Sequence, residues 1–439
     1  MKAEKINKLT DVYGNSREVP LTYQTRPKVD DRFVNDITRD KHIVLHGGSK
    51  QGKTCLRKNH LTEEEYVLVQ CTRDTSRSKL YELILKNANY QYEVSKSITT
   101  SGTNKITVNI SAEGGIPLLT KAKGETEYEG TKERETSIFY KKLEIDPDDP
   151  NDLVRVLEES GFNKFIVIED FHYLDEDVQK QFAFDLKVIH ETSKFVFIII
   201  GVWLETNRLL LYNGDLNGRL TNINVDKWPD EYLQMVINNG KPLLNIDFSE
   251  DVENEIIKIS QDNVGLLQEL CYRLCEQYEI WQTQDQSKTI GTVEQVRELA
   301  KEIADDQAGR YSIFLSKFSE GLSSTELEMY KWIMWTVVNA SSDELRNGIS
   351  QNTIFHRIKS EHPRASTLQQ NNVNQALERV QNVQFKHKLQ PLILDYSNSE
   401  LSVVDVNFIV YLQTHSKEEL LSKIGMNPST AKDNWTGGI

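Results

Sequence analysis

The hydrophobic positions of this chain fall into short solid runs separated by longer amphipathic stretches. "HIVLH" (42–46), "YVLVQC" (66–71), "KFIVIEDFHYL" (164–174) and "FVFIIIGVWL" (195–204) are such runs, and "TNINV" (221–225) is a shorter one. They lack alternation, so both faces of each predicted strand are buried, which predicts a parallel sheet sandwiched by helices. Between them, 53–61, 76–89, 151–159 and 175–190 read as helices. Strands and helices in alternation predict an α/β fold.

Segment 92–147 breaks this rhythm. It is rich in Thr, Ser, Gly and Glu, with a patch of alternation in "KITVNI", and "DPDDP" (146–150) closes it as a rigid turn. It reads as a β-hairpin or mobile insertion, either a tolerated surface loop or an element that touches a partner. Beyond 236, "SEDVENEIIKIS", "GLLQELCYRLCEQY" and "TVEQVRELAKEIADDQ" place apolar residues at helical spacing up to about 320. From about 321 a different module begins. Three predicted helices ("SSTELEMYKWIMWTVVN", "SQNTIFHRIKSEHP", "TLQQNNVNQALERVQNV") precede "PLILDYSN" and "ELSVVDVNFIVYL", which face each other as a hairpin. Helices followed by a hairpin make this part winged-helix-like.

Composition narrows the function classes. The 439 residues carry a net charge of −14, so the whole is not a basic nucleic-acid coat and any such contact is local. One local excess exists: Arg357, Lys359, Arg364, Arg379, Lys386 and Lys388 stand against Glu361 and Glu378, while Asp395, Glu400 and Asp405 make the hairpin unfriendly to DNA. The four cysteines have no histidine at metal-ligand spacing and read as buried, reduced thiols. No signal peptide is read, and the longest apolar run falls short of the roughly 20 residues a membrane span needs. A soluble, cytoplasmic protein without a membrane partner is expected.

Two stretches carry chemistry. The first is Gly47-x-x-x-x-Gly52-Lys53-Thr54, set between a buried strand and the start of a helix. This spacing fits a phosphate-binding loop: backbone N–H groups wrap an anion at a helix N-terminus, the lysine reaches the terminal phosphates and the threonine holds magnesium. Gly47, Gly48, Ser49, Lys50, Gln51, Gly52, Lys53, Thr54 and Cys55 are thus the expected nucleotide contacts. The second is the pair Glu169 and Asp170, where an apolar strand stops at two acids. A hard carboxylate there can serve Mg2+, and a second can orient or deprotonate an attacking water. Glu169 is assigned to the metal with Thr54, and Asp170 to the water. The chain order places the two stretches on neighbouring strands.

The set "GGSKQGKT", "FIVIEDFHYL", "FVFIIIGVWLETN" and "GDLNGRLTNINVDKWPDEYLQMVINNG" resembles the AAA+ P-loop ATPases over about 20–320, nearest to the origin-recognition, transposition-regulator and STAND-type branches. The resemblance implies an N-terminal linker (1–40), an ATPase core (41–235), a helical lid (236–320) and the winged-helix-like domain (321–439). It implies ATP and Mg2+ as cofactors and ATP hydrolysis as the activity. It also makes Thr206 or Asn207 a polar sensor, Arg219 an arginine reaching a neighbouring subunit's site, and Tyr23 and Arg26 braces for adenine. Two departures stand out. The acidic pair is Glu then Asp rather than Asp then Glu, which implies slow hydrolysis and a switch rather than a motor. Gln268 stands where the family's lid often carries arginine.

The expected function is an ATP-dependent oligomeric switch that regulates an effector protein or nucleic-acid complex, with bacterial antiphage defence as one setting. The alternative is a DNA-binding initiator or loader that grips DNA with the winged helix.

Overall fold

The computed structural model describes residues 6–14, 18–88, 91–98, 104–110, 141–323, 325–389, 391–427 and 429. Helices α1 (Leu9–Val12) and α2 (Pro27–Ile37) lead into β1 (His42–His46), α3 (Lys53–His60), β2 (Tyr66–Gln70) and α4 (Arg77–Asn87). Strands β3 (Gln91–Ile98), β4 (Asn104–Ile110) and β5 (Lys141–Ile145) follow, then α5 (Pro150–Glu159), β6 (Phe165–Glu169), α6 (Glu176–Thr192), β7 (Phe197–Ile200), α7 (Arg208–Tyr212) and β8 (Leu220–Asn224). Next come α8 (Asp230–Leu244), β9 (Ile246–Asp247), α9 (Glu250–Ser260), α10 (Val264–Gln277), β10 (Lys288–Thr289), α11 (Val293–Asp305) and α12 (Ala308–Glu320). The chain continues through α13 (Met329–Asn339), α14 (Ser342–Asn347), β11 (Ile349–Ser350), α15 (Gln351–Glu361), α16 (Gln370–Glu378) and α17 (Val380–Lys386), and then β12 (Leu394–Ser397), β13 (Glu400–Val403), α18 (Val406–Thr414) and α19 (Lys417–Lys423).

The central sheet is five-stranded and parallel, in the order β2-β6-β7-β1-β8. Both of its faces are covered. Val44, Val69, Ile166, Ile168, Phe197 and Ile199 pack on α4, α5 and α6, while Ile43, Leu45, Val167, Ile198 and Ile223 pack toward α2 and α3. This is why the strands read as solid apolar runs. The expectation that the loop strand and the acidic strand are direct neighbours is corrected: β7 lies between β1 and β6. The most apolar run fills the central position of the sheet.

Strands β3, β4 and β5 form a separate antiparallel sheet, so the insertion contains more than one hairpin; its 111–140 part lies outside the described residues. The N-terminal stretch is more than a linker. Leu9, Val12 and Tyr13 are buried, and the Tyr13 hydroxyl donates to the Ile237 carbonyl at 2.9 Å. From α8 to α19 one continuous apolar cluster runs through the helices. Within it β11, β13 and β12 form a three-stranded antiparallel sheet, with β12 and β13 joined by Asn398 and Ser399, both in the left-handed region. No helix among the described residues is long and apolar enough to cross a membrane.

Candidate functional site

Strand β1 ends at His46, and the chain turns through Gly47 to Gly52 before α3 starts at Lys53. Gly47 has φ +141°, and a Cβ there would lie 2.9 Å from the Asp226 nitrogen, so only glycine fits the turn. Lys53 is buried, and its ammonium donates to the carbonyls of Gly47 (3.0 Å) and Gly48 (2.6 Å). Burial lowers its pKa to about 8 against the pull of Asp226, Asp170 and Glu169. The lysine is thus folded into its own loop, where an anion would be a better partner. Thr54, at the second position of α3, is exposed.

The two acids at the end of β6 have different surroundings. Glu169 Oε1 accepts from the Arg57 guanidinium at 3.2 and 3.0 Å, and Arg57 is 1% exposed. Asp170 sits in the left-handed region (φ 55°) and accepts from the Gln70 amide at the end of β2. Burial and the neighbouring Glu169 raise its pKa, while Gln70 and Lys53 lower it. Arg57, one turn beyond Lys53 on α3, was not singled out in the sequence because its partner lies 112 residues away. The charge of Glu169 is balanced by a buried cation, whereas the Asp170 carboxylate accepts from a neutral amide. Among the described residues no group of three or more His, Cys, Asp or Glu forms a metal cluster. Magnesium held by one or two protein oxygens and the phosphates needs none.

Beside the loop is a cavity of about 300 Å³, lined by Thr22, Tyr23, Gln51–Cys55, Trp228, Val264, Gly265 and Gln268 among others. Tyr23 lines it and donates its hydroxyl to Asp30. Arg26 acts one step back. Its guanidinium lies 3.9 Å over the Trp228 ring and donates to the Val225 carbonyl at 2.9 Å, and burial lowers its pKa to about 10. Trp228, which the sequence reading passed over, donates its indole N–H to the Gln51 carbonyl at 3.3 Å. Helix α10 closes the far side: Asn263 donates to the Ser49 carbonyl (2.9 Å) and the Gly265 amide to the Lys50 carbonyl (3.1 Å). Burial raises the pKa of Cys55, so it remains a thiol.

The C-terminal segment roofs the loop. The Ser49 amide donates to the Val404 carbonyl, just after β13, at 3.3 Å. Arg346, from α14, pairs with Asp226 at 3.0 Å, both side chains under 5% exposed, and its Nη1 has no partner. Further along the sheet edge, Arg208 donates to Gln381, and the Leu204 amide to Asp395.

The remaining candidates lie elsewhere. Asn207 stands at the N-terminal end of α7, and its Oδ1 accepts from the Asn222 amide in the middle of β8 at 3.5 Å. Arg219 sits just before β8 and pairs with Glu191 at 2.8 Å. Because β1 and β8 are parallel, with His42 opposite Leu220, Arg219 is at the opposite end of the sheet from the Gly47–Gly52 loop, roughly 15 Å along the strand direction.

No family model matches the chain, and no curated protein matches it. Among solved structures it is similar to the Walker-type ATPase PABY2304 of Pyrococcus abyssi (12% identity, 91% of this chain and 99% of that chain, TM-score 0.48). It is similar to Cdc6p from Pyrobaculum aerophilum (12%, 94% and 98%, 0.39) and to the Aeropyrum pernix ORC1 protein in complex with DNA (12%, 96% and 98%, 0.43).

Proposed function

We propose that the protein is an ATP-binding and ATP-hydrolysing switch whose moving part is the C-terminal, winged-helix-like module. One observation carries this reading: the Ser49 amide, a donor a phosphate would use, is taken by the Val404 carbonyl. A carbonyl oxygen and a phosphate oxygen cannot share that donor at one place. Nucleotide binding and docking of the module therefore compete, and each ligand shifts the equilibrium only by its differential affinity for the two states.

Lys53 and the loop amides hold the phosphates, and the cavity walls hold the base. When bound, magnesium would neutralise phosphate charge, and Thr54 and Asp170 would supply the protein oxygens that hold it. Glu169 keeps Arg57, and through it α3, in register. Assembly of several copies fits the place of Arg219, which lies too far from its own loop to serve it and would act on the loop of another molecule. Direct DNA gripping by the module is the weaker reading. Arg357 is paired with Glu344, Arg364 with Glu326, and Lys386 is bound to the Leu322 carbonyl, so half of the cations counted in the sequence are engaged within the chain. A protein partner is thus the better fit for the released surface.

Limited proteolysis of the full chain with and without Mg-ATP tests this, with Lys53→Ala as the control. New cleavage around 321–350 in wild type, absent in the control, is expected. An unchanged pattern at saturating ATP would remove the switch.

A further inference from the structure

We propose that Gln268 selects the base of the bound nucleotide, its side-chain carbonyl accepting the 6-amino group of adenine. The inference rests on the nucleotide reading above and adds a residue and a specificity to it.

The orientation of the amide follows from its neighbour. Thr22 is fully buried, and its hydroxyl donates to the Val12 carbonyl at 2.6 Å. Having spent its only hydrogen there, the Thr22 oxygen can only accept. Gln268 Nε2 donates to it at 2.9 Å. This determines which end of the amide points where, and it leaves Oε1 as the free end. Gln268 is 5% exposed, its Oε1 is buried without a hydrogen-bond partner, and the residue lines the cavity beside the phosphate loop. Buried acceptors are normally satisfied, so the missing donor is one that a ligand brings. Around it, Tyr23, Trp228 and Val264 make walls suited to a flat aromatic ring.

Adenine offers an N–H donor at position 6. Guanine and hypoxanthine carry a carbonyl there, which would meet Oε1 acceptor to acceptor. A site built around a hydrogen bond rejects the analogue that cannot make it more strongly than an apolar pocket rejects a change in size. The residue standing where a lid arginine is expected thus reads the base instead of the phosphates.

The test is the affinity of the full chain for ATP and for inosine triphosphate, which carries a carbonyl at the 6-position and a proton on N1, in wild type and in Gln268→Leu. Wild type is expected to bind ATP roughly 10- to 100-fold more tightly than inosine triphosphate, the range of one buried polar group left unpaired. In Gln268→Leu, ATP should weaken until the two agree within about threefold. Equal affinities in wild type would overturn the proposal while leaving the nucleotide reading intact. So would a folded leucine variant that keeps the wild-type ratio. If neither triphosphate binds wild type, the nucleotide reading and this inference fall together. The wild-type comparison stands even if the variant does not fold.

Discussion

At the scale of single residues, the site depends on how charges are compensated. Lys53 is a buried cation resting on carbonyls, with its pKa lowered to about 8. A phosphate would restore it toward its ordinary value. Below pH 8 the lysine is protonated in both free and bound protein, and above it only binding protonates it. ATP affinity should therefore fall as pH rises past 8, by up to about tenfold per pH unit, and calorimetry at pH 9 in buffers of different ionisation heat should show proton uptake. Lys53→Ala should weaken ATP by roughly 10- to 100-fold without lowering the melting temperature, since it removes a buried charge. The acids should separate in the same way. Glu169→Gln removes the counter-charge of the buried Arg57 and should cost stability, up to about 3–5 kcal/mol for a buried pair, read by urea unfolding. Asp170→Asn should leave stability nearly unchanged, keep ATP bound and stop turnover. The opposite pattern would return the metal to Glu169.

At the scale of elements, the loop is held between a strand, a helix start and α10. Gly265 lies where α10 meets the loop; a Cβ there would stand 2.5 Å from the Lys50 Cβ and 2.8 Å from the Lys50 carbonyl oxygen. The second of these atoms is backbone and cannot swing aside. Gly265→Ala should thus push α10 off the loop, costing about 1–3 kcal/mol as overpacking does. Because Asn263 and Gln268 move with α10, ATP affinity should fall with it. Unchanged unfolding and unchanged affinity would show that the contact between helix and loop is slack.

At the scale of the whole molecule, Arg219 and the phosphate loop occupy opposite ends of one sheet. A head-to-tail assembly would bring the arginine of one copy to the loop of the next. Arginine suits that role because its planar fork stays charged and bonds more than one phosphate oxygen. Arg219→Ala should leave ATP binding by the isolated chain unchanged and abolish ATP-driven assembly and hydrolysis. Mixing Arg219→Ala with Lys53→Ala should restore part of the hydrolysis, since one arrangement of the mixed pair contains an intact site. A lowered melting temperature without complementation would make Arg219 a local structural residue that serves Glu191.

The sequence by itself determined the buried parallel strands, the glycine turn that leads into α3 and the acids at a strand end. Each is local: a solid apolar run needs burial on both faces, the loop needs glycine where φ is positive, and the two acids are adjacent in the chain. It also marked Gln268, as a departure from an expected arginine. Only the tertiary structure decided that β7 separates the two chemical strands, that Arg57 claims Glu169, that Trp228 and α10 wall the cavity, and that Val404 and Arg346 lie over the loop. Each of these joins residues tens to hundreds of positions apart. Spacing along a chain carries no record of such contacts, because packing and charge pairing are settled by which surfaces meet after the sheet has closed.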